Sequence, residues 1–221
     1  MKTAVYVDGY NLYYGRLRGT PNKWLDLRRL LDQILRGQDP ATQIEKIVFC
    51  TANIKAAYAS HGTRSVEAQT TYHHALKHDS ITVDASSHVV EKRSLRKYDG
   101  SKRPSTDYVD VWQMEEKQTD VKLALGMYRD SVSGAFDQIV LVSGDTDLVP
   151  AFEAIKGDAP NITLGLILPR HEVAKRPPPG SLMPLANWVR SHITDDELAK
   201  NRFPVNIHRP GMKPLAKPEH W

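Results

Sequence analysis

Cysteine is almost absent from this sequence of 221 residues, which contains a single example, Cys50. One thiol forms no intrachain disulfide and supplies too few ligands for a zinc cluster built on thiolates. The glycine-rich phosphate loops GxxxxGK and GxGxxG are also missing, as is the serine nucleophile elbow GxSxG. These absences leave no sequence support for a disulfide scaffold, a P-loop nucleotidase, a classical dinucleotide-binding enzyme or an α/β-hydrolase.

Long hydrophobic runs are missing as well. No run approaches the length of a transmembrane helix, and the first residues, MKTAVYVDGYN, lack the apolar core of a secretory signal. We therefore expect a cytoplasmic protein with no membrane partner.

The composition is that of a soluble globular protein, with 40% hydrophobic and 25% charged residues. The length suits one domain with an extended tail. We assign residues 1–195 to the domain. Residues 196–221 contain prolines at 204, 210, 214 and 218, which predict an irregular or disordered tail.

Positive charge is in modest excess and is unevenly distributed. The formal net charge is +4 and the isoelectric point about 9.1, which permits a nucleic-acid partner without requiring one. Part of the excess lies in residues 92–104, a predicted loop that contains Lys92, Arg93, Arg96 and Lys97. Two interpretations stand for these residues: they hold a nucleic-acid backbone, or they are ordinary solvated surface.

Apolar runs of the strand type alternate with segments of helical period. Predicted strands cover residues 3–7, 44–51, 81–83 with 88–90, 139–142 and 162–168. Predicted helices cover residues 24–35, 63–78, 119–133, 148–155 and 185–192, and residues 107–114 predict a short strand or an extended lead-in. This alternation is typical of an α/β fold whose mostly parallel sheet is covered on both faces.

Two carboxylates follow the apolar run at residues 139–142, in the segment IVLVSGDTDLVP. A continuous β-branched run predicts a buried parallel strand, which places Asp145 and Asp147 at its carboxyl end, where open α/β sheets bind ligands. Paired carboxylates favour a hard cation such as Mg²⁺ or Mn²⁺. The alternative is that one of them, Asp147 more than Asp145, only caps the next helix.

Two more acids are expected beside this pair. Asp8 ends the first predicted strand, and Gly9 after it lets the backbone approach the contents of the crevice. Asp120 lies in the first turn of the helix that Thr119 is expected to cap. Four carboxylates in one crevice fit one or two divalent ions that support attack of water on a phosphodiester.

The helix that carries Asp120 is expected to end at Gly134. Its predicted buried stripe follows a helical spacing and consists of Val121, Ala124, Leu125 and Tyr128. Near the first acid, Tyr10, Tyr13 and Tyr14 carry two interpretations, stacking on bases of a single strand or ordinary packing.

Three segments together resemble the signature segments of the NYN family, a branch of the PIN-like (FLAP-nuclease-like) ribonucleases, and its LabA-like members in particular. They are VDGYNLYYG at 7–15, EKQTDVKLALGMYRD at 116–130 and VSGDTDLVP at 142–150. Each segment alone is weak, but their order and spacing are specific, and the resemblance covers roughly residues 3–170.

The resemblance implies a PIN-like three-layer α/β/α fold with a mostly parallel central sheet, and metal-dependent endonucleolytic cleavage of RNA. Carried over by position, the acidic metal site with Mg²⁺ or Mn²⁺ would consist of Asp8, Asp120, Asp145 and Asp147. Asn11 would orient substrate or water as a further catalytic residue. Substrate contacts are expected from Tyr10, Asn11, Ser143, Thr146, Lys92, Arg93, Arg96 and Lys97.

The sequence departs from the family pattern at three positions. Gly126 stands where many relatives have an aspartate, Gln118 replaces a usual glycine, and Asn187 replaces a frequent aspartate. All four acids of the expected site are intact, so these departures bear on substrate fit more than on chemistry.

Three functions remain open at this point. The first is a divalent-metal-dependent ribonuclease, with RNA as its partner. The second is a non-catalytic RNA-binding or regulatory module on the same fold, and the third is a structure-specific DNA nuclease. The oligomeric state is open, and a homodimer is one option.

Overall fold

The computed structural model describes residues 1–101, 103–174 and 177–221. Lys102 of the predicted basic loop, and Lys175 and Arg176 of a predicted proline-rich loop at 175–180, lie outside the described residues. The strands are β1 (Lys2–Asp8), β2 (Gln43–Ala52), β3 (Thr82–Ser86), β4 (His88–Arg96), β5 (Tyr108–Glu116), β6 (Gln138–Val142), β7 (Thr163–Ile167), β8 (Trp188–Arg190), β9 (Asn206–Arg209) and β10 (Met212–Ala216). The helices are α1 (Gly9–Leu12), α2 (Leu27–Gln38), α3 (Thr63–His78), α4 (Thr119–Val132), α5 (Val149–Asp158) and α6 (Asp195–Lys200).

Six parallel strands form the central sheet in the order β3-β2-β1-β6-β7-β8. The two strands that end in the predicted acids are neighbours in its centre, with Val7 beside Val142. Both are apolar along their length because both faces of the sheet are covered. The prediction of an α/β fold with a parallel sheet is confirmed.

Helices cover both faces of this sheet and make three layers. Along β1, Val5 and Val7 pack into the core beneath α2 and α3, together with leucines of α2. Ala4 and Tyr6 point the other way and pack against α4 and α5. Because side chains alternate along a strand, β1 contributes alternate residues to the core on each face of the sheet.

The predicted stripe of α4 is confirmed for Ala124 and Tyr128, which are half-buried and pack against the core, and is wrong for Val121 and Leu125. Val121 and Leu125 are 60% and 57% exposed, whereas the helix buries Thr119, Leu123, Met127 and Ser131. Two of these four buried residues are polar, so the hydrophobic pattern of the sequence did not reveal the buried row. Thr119 is also the first helical residue, and the N-cap is Gln118 in the left-handed conformation.

The predicted basic loop at 92–104 is wrong for residues 92–96 and confirmed for 97–101 and 103–104, which lie outside any strand or helix. Residues up to Arg96 belong to β4, which pairs with β5 as an antiparallel ribbon from His88–Glu116 to Arg96–Tyr108. The ribbon is solvated on both sides, with Trp112 70% exposed, so its sequence lacks the clean alternation of a half-buried strand.

The predicted helix at 185–192 is a third error. A 3₁₀ turn at Met183–Leu185 leads into β8, an edge strand parallel to β7. Long-range bonds impose this: the indole of Trp188 donates to Gln138 at 2.9 Å, and Asn187 accepts from the Leu164 amide at 2.7 Å. Neither bond is visible as a local pattern.

The segment predicted as an irregular tail is ordered. It contains most of α6 and the antiparallel pair β9–β10, which buries Ile207 and Leu215 against the α2 side of the sheet. Trp24 donates its indole N–H to the Pro204 carbonyl at 2.8 Å. The prediction of irregular structure is wrong because these contacts lie far apart in sequence, while the domain boundary at residue 195 stays a prediction. Within the described ranges, no helix is long and apolar enough to cross a membrane.

Candidate metal centre

Asp8 lies at the end of β1 and is almost fully buried. Its Oδ1 accepts the Asn11 backbone amide at 2.9 Å, which caps α1. Its Oδ2 accepts the Asn11 side chain at 2.7 Å and the Ser143 hydroxyl at 2.9 Å. The DGYN turn and the end of β6 thus fix this carboxylate from two sides.

Gly9 allows a close approach between the turn after β1 and the neighbouring strand. A Cβ at this position would lie 2.6 Å from the Phe49 ring and 2.9 Å from the Cys50 carbonyl oxygen, both on β2. The glycine therefore lets this turn pack closely on β2, while the expectation that it also admits the contents of the crevice stays a prediction.

Asp145 follows β6 and turns toward Asp8. Its backbone amide donates to the Ser143 hydroxyl at 3.0 Å, and its Oδ1 accepts the Asp147 amide at 3.0 Å. Asp145 is therefore the cap of the 3₁₀ turn Thr146–Leu148. The capping role that was expected for Asp147 belongs to Asp145, which combines it with a place in the acid cluster.

Asp8, Asp120 and Asp145 come together in one cluster, in which one carboxylate oxygen of each lies within 4.8 Å of the others. Asp120 arrives from the first turn of α4, whose N-terminus faces the ends of β1 and β6. The fourth predicted acid, Asp147, is exposed and lies outside this triad, as does the exposed Thr146.

Burial and repulsion by neighbouring carboxylates raise the pKa values of Asp8 and Asp120. The pKa of Asp120 is raised to about 6 by burial first, and then by the charges of Asp145 and Asp8. Burial also raises the pKa of Asp8, although its hydrogen bonds from Asn11 and Ser143 oppose that rise. The cluster thus holds more negative charge than its surroundings compensate.

Oxygen ligands of this kind fit a hard divalent cation. Three convergent carboxylates are a donor set for Mg²⁺ or Mn²⁺, and a bound cation would offset the repulsion that raises these pKa values. This group of three carboxylates can hold a metal ion. Its oxygen donors indicate a hard divalent cation and do not identify which one.

Glu116 was not among the predicted site residues. It ends β5, its charge contributes to the raised pKa of Asp120, and it accepts hydrogen bonds from the amide and hydroxyl of Thr119. The sequence did contain a signal for Glu116, since it is the first residue of the segment 116–130. The position of its side chain depends on the pairing of β4 with β5, which was not predicted.

Aromatic side chains surround a cavity beside the acids. Tyr10 and Tyr14 contact each other with ring centroids 4.7 Å apart, and Tyr13 meets Tyr14 edge-on at 5.1 Å. All three line the cavity and keep exposed faces, and Tyr10 also lies 6.3 Å from the His88 ring. The structure thus brings the predicted Tyr10 and Asn11 to the site, and both stacking and packing are compatible with this arrangement.

The four predicted basic contacts lie on or just after β4. Lys92 pairs with Asp110 at 2.7 Å, and Arg93 pairs with Glu91 at 2.9 Å. Arg96 packs on the Tyr108 ring, with its guanidinium 5.8 Å from the centroid, and Lys97 is exposed. Part of the positive charge expected to contact a nucleic acid is therefore already offset by carboxylates of the ribbon.

Comparison with known proteins agrees with this geometry. Residues 2–175 match the NYN domain family. The chain is 38% identical over 240 residues to 6-hydroxy-3-succinoylpyridine 3-monooxygenase HspA of Pseudomonas putida (strain DSM 28022 / S16), an alignment that covers 100% of this chain and 75% of the relative. A crystal structure of a protein of unknown function from Vibrio parahaemolyticus RIMD 2210633 shares the fold with a TM-score of 0.52, at 19% identity, over 88% of this chain and 94% of that one.

Five of the six strands of the parallel sheet and the acid cluster at its carboxyl edge lie within the matched region, whereas β8 lies beyond it. We conclude that this chain belongs to the NYN domain family.

Proposed function

We propose that the protein is a divalent-metal-dependent ribonuclease that hydrolyses RNA phosphodiester bonds at the acid cluster. The observation that carries the proposal is the convergence of Asp8, Asp120 and Asp145 at the carboxyl edge of the sheet. Membership in a family with a nuclease-like fold supports it. The proposed ion is Mg²⁺ or Mn²⁺, and the proposed location is the cytoplasm.

The residues of the site have three different proposed roles: metal binding, positioning of a ligand and substrate contact. Asp8, Asp120 and Asp145 would hold the ion, which when bound supplies positive charge for the phosphate and lowers the pKa of water. Ser143 and Asn11 keep Asp8 in place through their hydrogen bonds. Asp147 and Thr146, exposed beside the triad, are proposed to contact the substrate strand, with Asp147 able to reach the ion only through a side-chain movement.

The test uses end-labelled single-stranded RNA, a hairpin RNA and the matching DNA strands, each with Mn²⁺, with Mg²⁺ or with chelator. We expect products from RNA that require the metal. Cleavage of DNA in preference to RNA would instead indicate the DNA nuclease. Binding that survives chelator, with no metal-dependent products, would indicate a non-catalytic RNA-binding module.

A second candidate function follows from the relative in Pseudomonas putida, whose name describes a monooxygenase acting on a hydroxypyridine. The observation in its favour is the aromatic cavity beside the acids, which is of a size for a small ring. Carbon 3 in that name carries the succinoyl group, so oxygenation there would break the ring C–C bond. One oxygen atom of dioxygen would form the ring C–OH, the succinoyl group would leave as an aldehyde, and two equivalents of a two-electron donor would reduce the other oxygen atom to water.

This candidate has its own assay. Oxygen uptake and NADH oxidation are measured with 6-hydroxy-3-succinoylpyridine, with and without added flavin. Oxygen uptake and NADH oxidation that require the substrate would favour the second candidate. Its absence, together with metal-dependent RNA products, would favour the first.

A further inference from the structure

A cavity of about 290 Å³ lies between the turn after β1, the end of β2 and helix α3. Gly9 and Tyr10, which directly follow the ligand candidate Asp8, form part of its wall. Its other walls include Tyr13, Tyr14 and His88. The metal site and this cavity therefore share the DGYN turn, while Asp8, Asp120 and Asp145 themselves do not line the cavity.

His88 contributes an unsatisfied acceptor to this wall. The side chain is only 7% exposed, and its Nδ1 lies 3.0 Å from the Asn53 carbonyl oxygen. Because a carbonyl only accepts, this contact assigns the proton to Nδ1 and leaves Nε2 of the neutral ring as an acceptor. Nε2 is buried and has no hydrogen-bond partner in the part of the chain that the structure describes.

An unpaired buried acceptor is unusual, since buried polar atoms nearly always have a partner. The neighbouring surfaces indicate what kind of partner is missing. Tyr10 and Tyr14 offer partly exposed aromatic faces, and the Arg18 guanidinium lies 5.2 Å from the Tyr14 ring centroid. Flat, electron-rich walls of this kind bind flat rings by stacking.

We propose that this cavity binds one planar aromatic heterocycle, which stacks on the tyrosine wall and donates an N–H or O–H hydrogen bond to Nε2 of His88. Two sources share this chemistry, a nucleobase of an RNA strand and a free hydroxypyridine. The nucleobase source rests on the proposed ribonuclease function, whereas binding of the ring itself does not. Because Nε2 is buried, the same proposal requires that a side chain of the wall shifts on binding, and Tyr10, which is 39% exposed beside His88, is the side chain proposed to do so.

The test is calorimetric titration of the full chain in chelator, where no metal-dependent reaction interferes. Two ligand pairs are used: 2-pyridone with 1-methyl-2-pyridone, and uridine with 3-methyluridine. In each pair the methyl group replaces the donor hydrogen. We expect the donor-bearing ligand to bind at least about tenfold more tightly in at least one pair, because its methylated partner leaves Nε2 unpaired.

Variants connect this preference to His88. His88→Phe keeps a ring beside Tyr10 but lacks Nε2, so the preference for the donor should disappear, whereas His88→Gln provides an acceptor oxygen and should restore part of it. His74→Phe, on the exposed side of α3 and outside the cavity, is the matched control and should bind like the native protein.

The outcomes separate the two sources. A preference only in the uridine pair supports the proposal with a nucleobase as ligand, and a preference only in the pyridone pair supports it with a small molecule. Equal binding within both pairs, or no binding of any of the four compounds by the native protein, overturns it. Failure of the RNA assay leaves this result unaffected, because the titration contains neither metal nor RNA.

Discussion

The Ser143 hydroxyl at the end of β6 donates a hydrogen bond of 2.9 Å to Oδ2 of Asp8 at the end of β1. The same hydroxyl oxygen accepts the Asp145 amide at 3.0 Å. One small side chain thus connects two members of the acid cluster across neighbouring central strands. Asp8 and Asp145 are far apart in the sequence, and this connection helps to fix their relative orientation in the cluster.

Replacement of Ser143 by alanine should weaken metal binding without removing a ligand. Loss of an outer hydrogen bond to a metal ligand typically costs about 10- to 100-fold in affinity. We expect a decrease of that order for Mn²⁺ in calorimetric titration, with the fold retained. Thr146→Ala, at an exposed position in the next turn, is the control and should bind Mn²⁺ nearly as well as the native protein.

Metal-free protein should be less stable at neutral pH than at mildly acidic pH. Asp120 has a pKa of about 6 in the folded protein against an ordinary value of 3.8, so the folded state binds more protons between these values. Stability therefore falls as the pH rises from about 4 to 6. Asp120→Asn should remove the part of this dependence that is due to Asp120 and raise stability at pH 7 by about 1 kcal/mol, after allowance for solvent screening.

Thermal unfolding in chelator at several pH values measures this effect. In saturating Mn²⁺ the native protein should instead be more stable than Asp120→Asn. Only the native protein has the complete site and gains binding free energy, about 2.7 kcal/mol at a hundredfold excess over Kd. A native protein whose melting temperature is unchanged by Mn²⁺ would contradict the assignment of the cluster as a metal site.

Gln118→Gly should stabilise the protein. Gln118 adopts φ 82° and ψ −14°, a left-handed conformation that costs a residue with a side chain about 1 kcal/mol or more and that glycine adopts freely. We expect a higher urea midpoint, with a gain of up to about 1 kcal/mol. The same substitution in β2, Gln43→Gly, serves as the control and should lower stability; equal effects at both positions would exclude this explanation.

Gly126→Ala should be destabilising although it lies within helix α4. A Cβ there would come within 2.6 Å of the Tyr6 ring, so crowding, at about 1–3 kcal/mol, should exceed the helix-propensity gain of about 1 kcal/mol. Gly157→Ala in α5 has no neighbouring atoms within 4 Å and should be stabilising. Denaturant unfolding of both variants gives the comparison, and equal signs would contradict it.

This crowding also accounts for one departure from the family pattern. The aspartate expected at the position of Gly126 from the family resemblance would place its Cβ 2.6 Å from the ring of Tyr6, whose hydroxyl donates to Asp130 at 2.7 Å. The departure reflects packing between α4 and β1 in this chain.

The sequence was most informative where local patterns and three-dimensional position coincide. Apolar runs that end in Asp8 and in Ser143-Gly144-Asp145 placed both strand ends correctly, because parallel strands of an α/β sheet bring their carboxyl ends to one edge. Asp120 joined them as expected from the first turn of α4.

Long-range interactions account for what the sequence did not reveal. The 3₁₀ turn that Asp145 caps, the Trp188–Gln138 bond that makes β8 a strand, and the burial of Ile207 and Leu215 all depend on distant partners. Residues 88–90 and 107–114 were predicted as strand material, but the extension of β4 to Arg96 and its pairing with β5 were not, since a two-stranded ribbon exposed on both faces carries no strong period in its sequence.

The most direct test of the proposed function is cleavage of labelled single-stranded RNA by native protein and by Asp145→Asn, purified in parallel and compared by circular dichroism. We predict products from the native protein in Mn²⁺, none in chelator, and a loss of at least about a hundredfold in the variant with its fold unchanged. Full activity in Asp145→Asn, or RNA cleavage by the native protein that is equally fast in chelator, would contradict the proposal.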